Sequence, residues 1–268
     1  LICMGAVLGR LKMDQYFVLA ILFTIAYIFN EWLLLESGLF KGFLDTGGSV
    51  AIHAFGAYFG LGVVATTDKK FQGKPAPQST KVSNEFCLLG SMILWLFWPS
   101  FTSAVVSPDH AYLTVLNTVL ALCGSTLATY VFTKLIRGKI DIEDIANAAL
   151  AGGVCIGSTC STANPGFSMV IGICAGTLST LGFSVIAPKV CKLIRGTDTC
   201  GVHNLHGMPG LLGGLFGIAI TGNVGVQLGA VVATVVVGLV LGRVCGAILG
   251  LFGTKNDTYQ DEDDFILE

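Results

Sequence analysis

Two histidines stand at matched places in a chain otherwise poor in ionisable groups. His53 closes the run Asp45-Thr-Gly-Gly-Ser-Val-Ala-Ile-His53, and His206 closes Asp198-Thr-Cys-Gly-Val-His-Asn-Leu-His206. Each run opens with Asp-Thr-x-Gly and reaches its histidine eight residues after the aspartate. A neutral imidazole carries one N–H donor and one bare acceptor nitrogen. Two that meet can therefore hydrogen-bond each other and still present a donor and an acceptor to a third group. Burial disfavours the charged form of such a pair.

The elements that must carry these residues are membrane-spanning helices. Of 268 residues, 53% are hydrophobic and only 12% charged, with a mean hydropathy of +0.76. A water-facing surface needs about twice that charge. Thirty-five glycines suit helices packed closely in a bilayer. The nine cysteines fall in or near apolar runs and read as small buried residues, not as a disulfide framework. A net charge of −2 with no basic stripe gives no sign of nucleic-acid binding. A spanning helix needs about 20 mostly apolar residues. Eight such segments are expected near Gln15–Leu35, Gly47–Thr66, Glu85–Ser107, Ala111–Leu135, Ile145–Thr162, Gly166–Ala187, Gly201–Thr221 and Gly225–Val244. Turn formers mark the breaks, as in Gly73-Lys-Pro-Ala-Pro77 and Asn164-Pro165. Leu1 to Gly9 reads as the tail of a further apolar helix, so an N-terminal truncation is expected. A signal peptide would need a charged segment ahead of that run.

Alternate loops divide the basic residues 14 to 1. Arg10, Lys12, Lys69, Lys70, Lys74, Lys81, Lys134, Arg137, Lys139, Lys189, Lys192, Arg195, Arg243 and Lys255 fall on one side, and Lys41 alone on the other. Basic loops stay in the cytoplasm, which predicts a cytoplasmic C-terminus. The domain reading is therefore a transmembrane domain over 1–253 and an acidic cytoplasmic tail over 254–268. Asn256-Asp257-Thr258 spells a glycosylation sequon on the cytoplasmic side and is expected to be unused.

Five helix reversals separate the two histidine segments, so they enter the bilayer from opposite faces, an inverted repeat around a central site. Eight helical residues rise about 12 Å into a hydrocarbon core of about 30 Å. The two rings are thus expected to meet near the midplane. An imidazole there is costly unless it has a partner or lines a cavity. Ammonia, uncharged and able both to donate and to accept, suits such a pair. His203 competes for the second position, because three residues apart places it on nearly the same helix face as His206. With Asp198 and Cys200 as the only other ligand types nearby, a metal site is not expected. Asp45 and Asp198 are expected to cap helix starts, where a carboxylate accepts from exposed amides and suits the dipole. Glu31, inside an apolar run near the outer end of its helix, serves either to draw a cation to an outer vestibule or to sit at headgroup level. His110 reads as a solvated loop residue.

These residues resemble the ammonium transporter and Rh glycoprotein superfamily, the Rh branch in particular, over essentially the whole chain. The most specific stretches are Gly47-Gly-Ser-Val-Ala-Ile-His-Ala-Phe-Gly-Ala-Tyr-Phe-Gly60, Trp98-Pro-Ser-Phe101, Asn147-Ala-Ala-Leu-Ala-Gly-Gly153 and Asp198-Thr-Cys-Gly-Val-His-Asn-Leu-His-Gly-Met-Pro-Gly210. The resemblance implies an all-α helical bundle of inverted five-helix repeats, trimeric, with one pore in each protomer. It implies that His53 and His206 are the paired pore histidines and that Asp45 and Asp198 are the aspartates at those helix starts. Phe101 resembles an aromatic ring near the outer pore mouth, and Glu31 the acidic residue of the vestibule. The family's first two to three helices, with the gating phenylalanines they carry, are expected to precede Leu1.

The implied activity is passage of ammonia through an apolar pore, carbon dioxide having been proposed for some members. The expected setting is a plasma-membrane homotrimer, or a heterotrimer with other Rh-type subunits. The alternative is a non-conducting Rh-type scaffold; relatives of that kind have lost the pore histidines, and this chain keeps both. No Gly-x-Ser-x-Gly, no His-Glu-x-x-His and no cofactor motif is present, so no enzyme chemistry is expected.

Overall fold

The structure is a computed structural model and describes residues 1–67, 79–253 and 258–266. The turn expected at Gly73 to Pro77, Lys69, Lys70, Lys74 and Lys255, and the sequon at Asn256 lie outside the described residues. The described chain is helical from end to end. Short α1 (Ile2–Ala6) leads into α2 (Met13–Glu31), whose last turn widens into a π-helix over Trp32–Glu36. A π-helical turn over Ser49–Ala54 opens α3 (Phe55–Thr67). There follow α4 (Lys81–Ser103), α5 (Pro108–Arg137), α6 (Ile142–Ala148) and α7 (Ala151–Ile156). Then α8 (Pro165–Leu181) runs through a π turn into α9 (Ala187–Ile194). A second histidine-bearing π turn, His203–Gly207, opens α10 (Met208–Thr221), and α11 (Val224–Leu249) closes the bundle.

Local chemistry sets these limits. Thr80 caps α4 by accepting from the Ser83 N–H, and Asn164 and Asn223 do the same for α8 and α11. Pro108 opens α5 at a position where its missing N–H costs nothing, and Gly138, at φ 76°, closes it. All eight expected segments are helical. Among the described residues six apolar stretches are unbroken and long enough to cross a bilayer. Of the other two, the expected single span Ile145–Thr162 is divided at Ala149 and Leu150 into α6 and α7, then tightens into a 3₁₀ turn at Gly157–Thr159. Gly152, Gly153 and Gly157 hold little helix propensity there and serve close packing instead. The histidine-bearing 203–221 is diluted by His203, Asn204 and His206. The chain is an integral membrane protein, and apolar residues such as Phe17, Ile21, Phe86, Leu96 and Val236 face outward along its spans.

Small residues seat the helices on one another. A Cβ on Gly172 of α8 would overlap the Ala121 carbonyl of α5, and one on Gly242 of α11 would overlap the Phe59 carbonyl of α3. Backbones at that spacing hold helices together where water gives no hydrophobic drive. One core cluster gathers Leu19, Phe55, Phe59 and Leu249, and another Trp98, Leu122, Leu150, Ile156 and Ile171. All nine cysteines are free thiols, four of them buried.

The inverted repeat is visible in the hydrogen bonds. Thr46 and Gly47 donate their amides to the carbonyls of Ser158 and Gly157, at 3.4 and 2.7 Å. Thr199 and Cys200 donate theirs to Ala6 and Gly5, both at 3.1 Å. The end of α1 thus stands to the second histidine segment as the turn after α7 stands to the first.

Candidate functional site

The motif Asp-Thr-x-Gly is a chain reversal that ends in a capped helix. Its glycines, Gly48 and Gly201, have φ of 76° and 67°, a left-handed conformation that other residues rarely adopt. Each turn is closed by that glycine's N–H donating to the aspartate carbonyl, at 3.1 and 3.3 Å. The Asp45 carboxylate accepts from Val50 N–H at 3.0 Å and Ala51 N–H at 2.7 Å. That of Asp198 accepts from Val202 N–H at 3.0 Å and His203 N–H at 2.8 Å. The helix starts only after the glycine. The distance from each aspartate to its histidine is therefore part turn and part π-helix, not the eight residues of α-helix behind the rise estimate.

Asp45 has a side-chain partner besides its two amides. It accepts from the Ser158 hydroxyl at 2.6 Å. Ser49, beside it, donates to the Val154 carbonyl at 2.6 Å and accepts the Ser158 N–H at 2.7 Å. In the second half of the repeat Ala6 stands where Ser158 stands in the first, and it has no hydroxyl to give.

From these two starts the histidines converge. His53 Nδ1 and His206 Nδ1 lie 3.1 Å apart, with ring centroids at 5.2 Å and planes within 4°. At that offset the rings are edge to edge in one plane. One Nδ1 donates and the other accepts, which leaves one Nε2 a donor and the other an acceptor. His53 is 6% exposed, and its Nε2 has no hydrogen-bond partner among the described residues. The pair borders a cavity of about 650 Å³ whose wall is otherwise mainly apolar, with Ile52, Trp98, Phe101 and Leu205 beside the two rings. Phe101 meets His53 edge to face at 6.1 Å.

The other candidates lie elsewhere. His203 faces away from the pair toward α3, where its Nε2 is 3.5 Å from the Tyr58 hydroxyl and the rings meet edge to face at 5.7 Å. Residues three apart share a face in an α-helix, but 203–207 is π-helical, and the wider turn separates them. Glu31 accepts a hydrogen bond from the Tyr27 hydroxyl at 2.8 Å and does not border the cavity. His110 is exposed, in the first turn of α5. Among the described residues no three His, Cys, Asp or Glu side chains converge on a metal-sized point. The sequence reading assigned no part to Trp98 or Ser158. Ser158 carries no signal of its own, while Trp98 stands in one of the stretches that resemble the family.

The whole bundle has known counterparts. A model of the Ammonium Transporter Family matches residues 1–265. Ammonium transporter Rh type B of Danio rerio is 43% identical over 223 residues, covering 81% of this chain and 48% of that protein. Ammonium transporter Rh type A of Rattus norvegicus is 41% identical over 224 residues, 81% of this chain and 49% of its own length. The chain thus spans about half the length of these relatives. The solved structure of Nitrosomonas europaea Rh50, described as one of the Rhesus protein family of channels, is 49% identical. It superposes at a TM-score of 0.95, covering 99% of this chain and 71% of its own. A sensor Amt protein shares the fold at 22% identity and a TM-score of 0.77, over 98% of this chain and 70% of its own. The inverted helix repeat, the paired histidine segments and these matches together place the chain in the ammonium transporter family, on its Rh branch.

Proposed function

We propose that this chain carries the pore of an ammonia channel, and that neutral ammonia crosses beside the His53–His206 pair. The observation that supports this most is a coplanar imidazole pair, 3.1 Å between nitrogens, bordering a mainly apolar cavity. Relatives over four-fifths of the chain are named ammonium transporters. Ammonium gives up its proton to water at the outer mouth, near Glu31. Ammonia then enters past Phe101. It accepts a hydrogen bond from whichever Nε2 carries a proton and donates to the one that does not, and it takes a proton from water on the far side. Stripping water from potassium in such a bore costs on the order of tens of kcal/mol, and the apolar wall returns none of it. Selectivity against that ion follows.

The proposed setting is a trimer in the plasma membrane, of this protein alone or with other Rh-type subunits. The transmembrane domain covers 1–253, and the tail from 254 lies in the cytoplasm on the side where the basic residues gather. The test is growth of yeast cells stripped of their own ammonium uptake, on low ammonium, with the full-length protein expressed at the surface. Growth restored by wild type and lost in His206→Ala supports conduction. No growth from protein that reaches the surface contradicts it and leaves the scaffold reading.

A further inference from the structure

Trp98 lies against the histidine pair, and its surroundings indicate what it does there. The indole is 6% exposed and lies nearly parallel to the His53 ring, with centroids 5.5 Å apart and planes at 21°. The indole also rests on bare backbone. A Cβ on Gly153 of α7 would sit 2.7 to 2.8 Å from indole Cε2, Cδ2 and Nε1, too close for any side chain to be tolerated without displacing the ring that lies beside His53. Phe101 meets the indole edge to face at 6.4 Å and closes the corner. The polar end of the residue is not what holds it. Trp98 Nε1 is buried with no acceptor among the described residues, whereas Trp95 on the same helix donates to Thr126 Oγ1 at 3.2 Å. A buried indole usually finds a partner for its N–H. Here the flat face is kept and the N–H goes unmatched.

We propose that Trp98 is a positioning residue: seated on Gly153, its indole fixes the plane of His53 and so keeps the hydrogen bond to His206 in line. An imidazole turns about its last side-chain bond in a broad, shallow well. An in-plane Nδ1 to Nδ1 contact survives only if that rotation is stopped. His206 holds one edge of the His53 ring, Phe101 stands at a steep angle to it, and Trp98 supplies the flat wall. Gly153 belongs to the same device, because any larger residue there would displace the wall. The consequence for conduction rests on the channel reading above; the consequence for the histidine geometry does not.

The experiment uses the full-length protein in liposomes, with ¹⁵N-labelled histidine, and measures two things on each variant. The first is the imidazole ¹⁵N spectrum, with the two sites assigned by the signals lost in His53→Asn and in His206→Asn. The second is ammonia permeability. Wild type is expected to show one protonated and one bare Nδ1 coupled across the hydrogen bond. Trp98→Phe, which keeps a flat face and lacks the N–H, is expected to retain that signature and at least half the permeability. Trp98→Leu and Gly153→Ala are expected to lose the coupling and to fall at least tenfold in permeability while keeping wild-type helix content. If Trp98→Leu does not fold, Gly153→Ala and Trp98→Met decide. Folded variants with an unchanged histidine spectrum overturn the proposal, and so does a Trp98→Phe as impaired as Trp98→Leu. A wild type that shows the coupled signature and no permeability would remove the channel reading and leave the positioning role to be judged on the spectra.

Discussion

At the scale of single residues, type and spacing foretell that two histidines meet but not how they are held. Asp-Thr-x-Gly eight residues ahead of each histidine is legible because a turn glycine and a capping carboxylate are both recognisable by type. The direction of His203 is not legible, because helical spacing presumes 3.6 residues per turn and the local helix is wider. Its contact with Tyr58, at 3.5 Å, is at the edge of a hydrogen bond. Tyr58→Phe is therefore expected to cost about 1 kcal/mol or less in thermal unfolding and to leave ammonia permeability within twofold of wild type. A larger loss of permeability would bring His203 into the conducting path. The wall behind His53 is equally hidden: nothing in the pattern of α4 says that Gly153, more than fifty residues on, lies behind Trp98.

At the scale of elements, helix existence is read from apolar runs, and helix continuity is not. The run from Ile145 to Thr162 is mostly apolar, yet the helix breaks at Ala149 and Leu150, where the Ser125 hydroxyl of α5 donates to the Ala149 carbonyl, and it tightens again from Gly157. The reversal before each histidine is tied to a different element by backbone bonds, and the Ser158 hydroxyl adds a strut only at Asp45. Ser158→Ala leaves a buried carboxylate one donor short. A loss of about 1–3 kcal/mol is expected, read as a lower melting temperature in detergent. Ala6→Ser offers the missing hydroxyl to Asp198 and is expected to raise stability or leave it unchanged; a marked loss would contradict the equivalence of the two halves. Along the seam of α5 and α8, Gly172→Val forces a branched side chain into the Ala121 carbonyl and is expected to destabilise by about 1–3 kcal/mol or more.

At the scale of the molecule, the inverted repeat is what makes two remote motifs into one site. Its sequence trace is the repeated Asp-Thr-x-Gly, and its structural trace is the matched docking of Thr46 and Gly47 on one side and Thr199 and Cys200 on the other. Orientation is a property of the whole chain as well. Arg10, counted among the loop cations, is only 4% exposed, and Lys189, Lys192 and Arg243 lie within helices, so the basic side is made of helix ends as much as loops. The described part of the tail also touches the bundle, with Tyr259 donating its N–H to the Gly9 carbonyl at 2.8 Å. A C-terminal epitope is expected to be reached by antibody only after cells are permeabilised; staining of intact cells would invert the topology. The central claim is that the histidine pair conducts ammonia, and stopped-flow pH change in proteoliposomes tests it most directly, with wild type beside the double variant His53→Ala, His206→Ala. The account predicts permeability above that of empty liposomes for wild type and at their level for the variant. Folded wild-type protein no more permeable than empty liposomes, or a double variant as permeable as wild type, would contradict it.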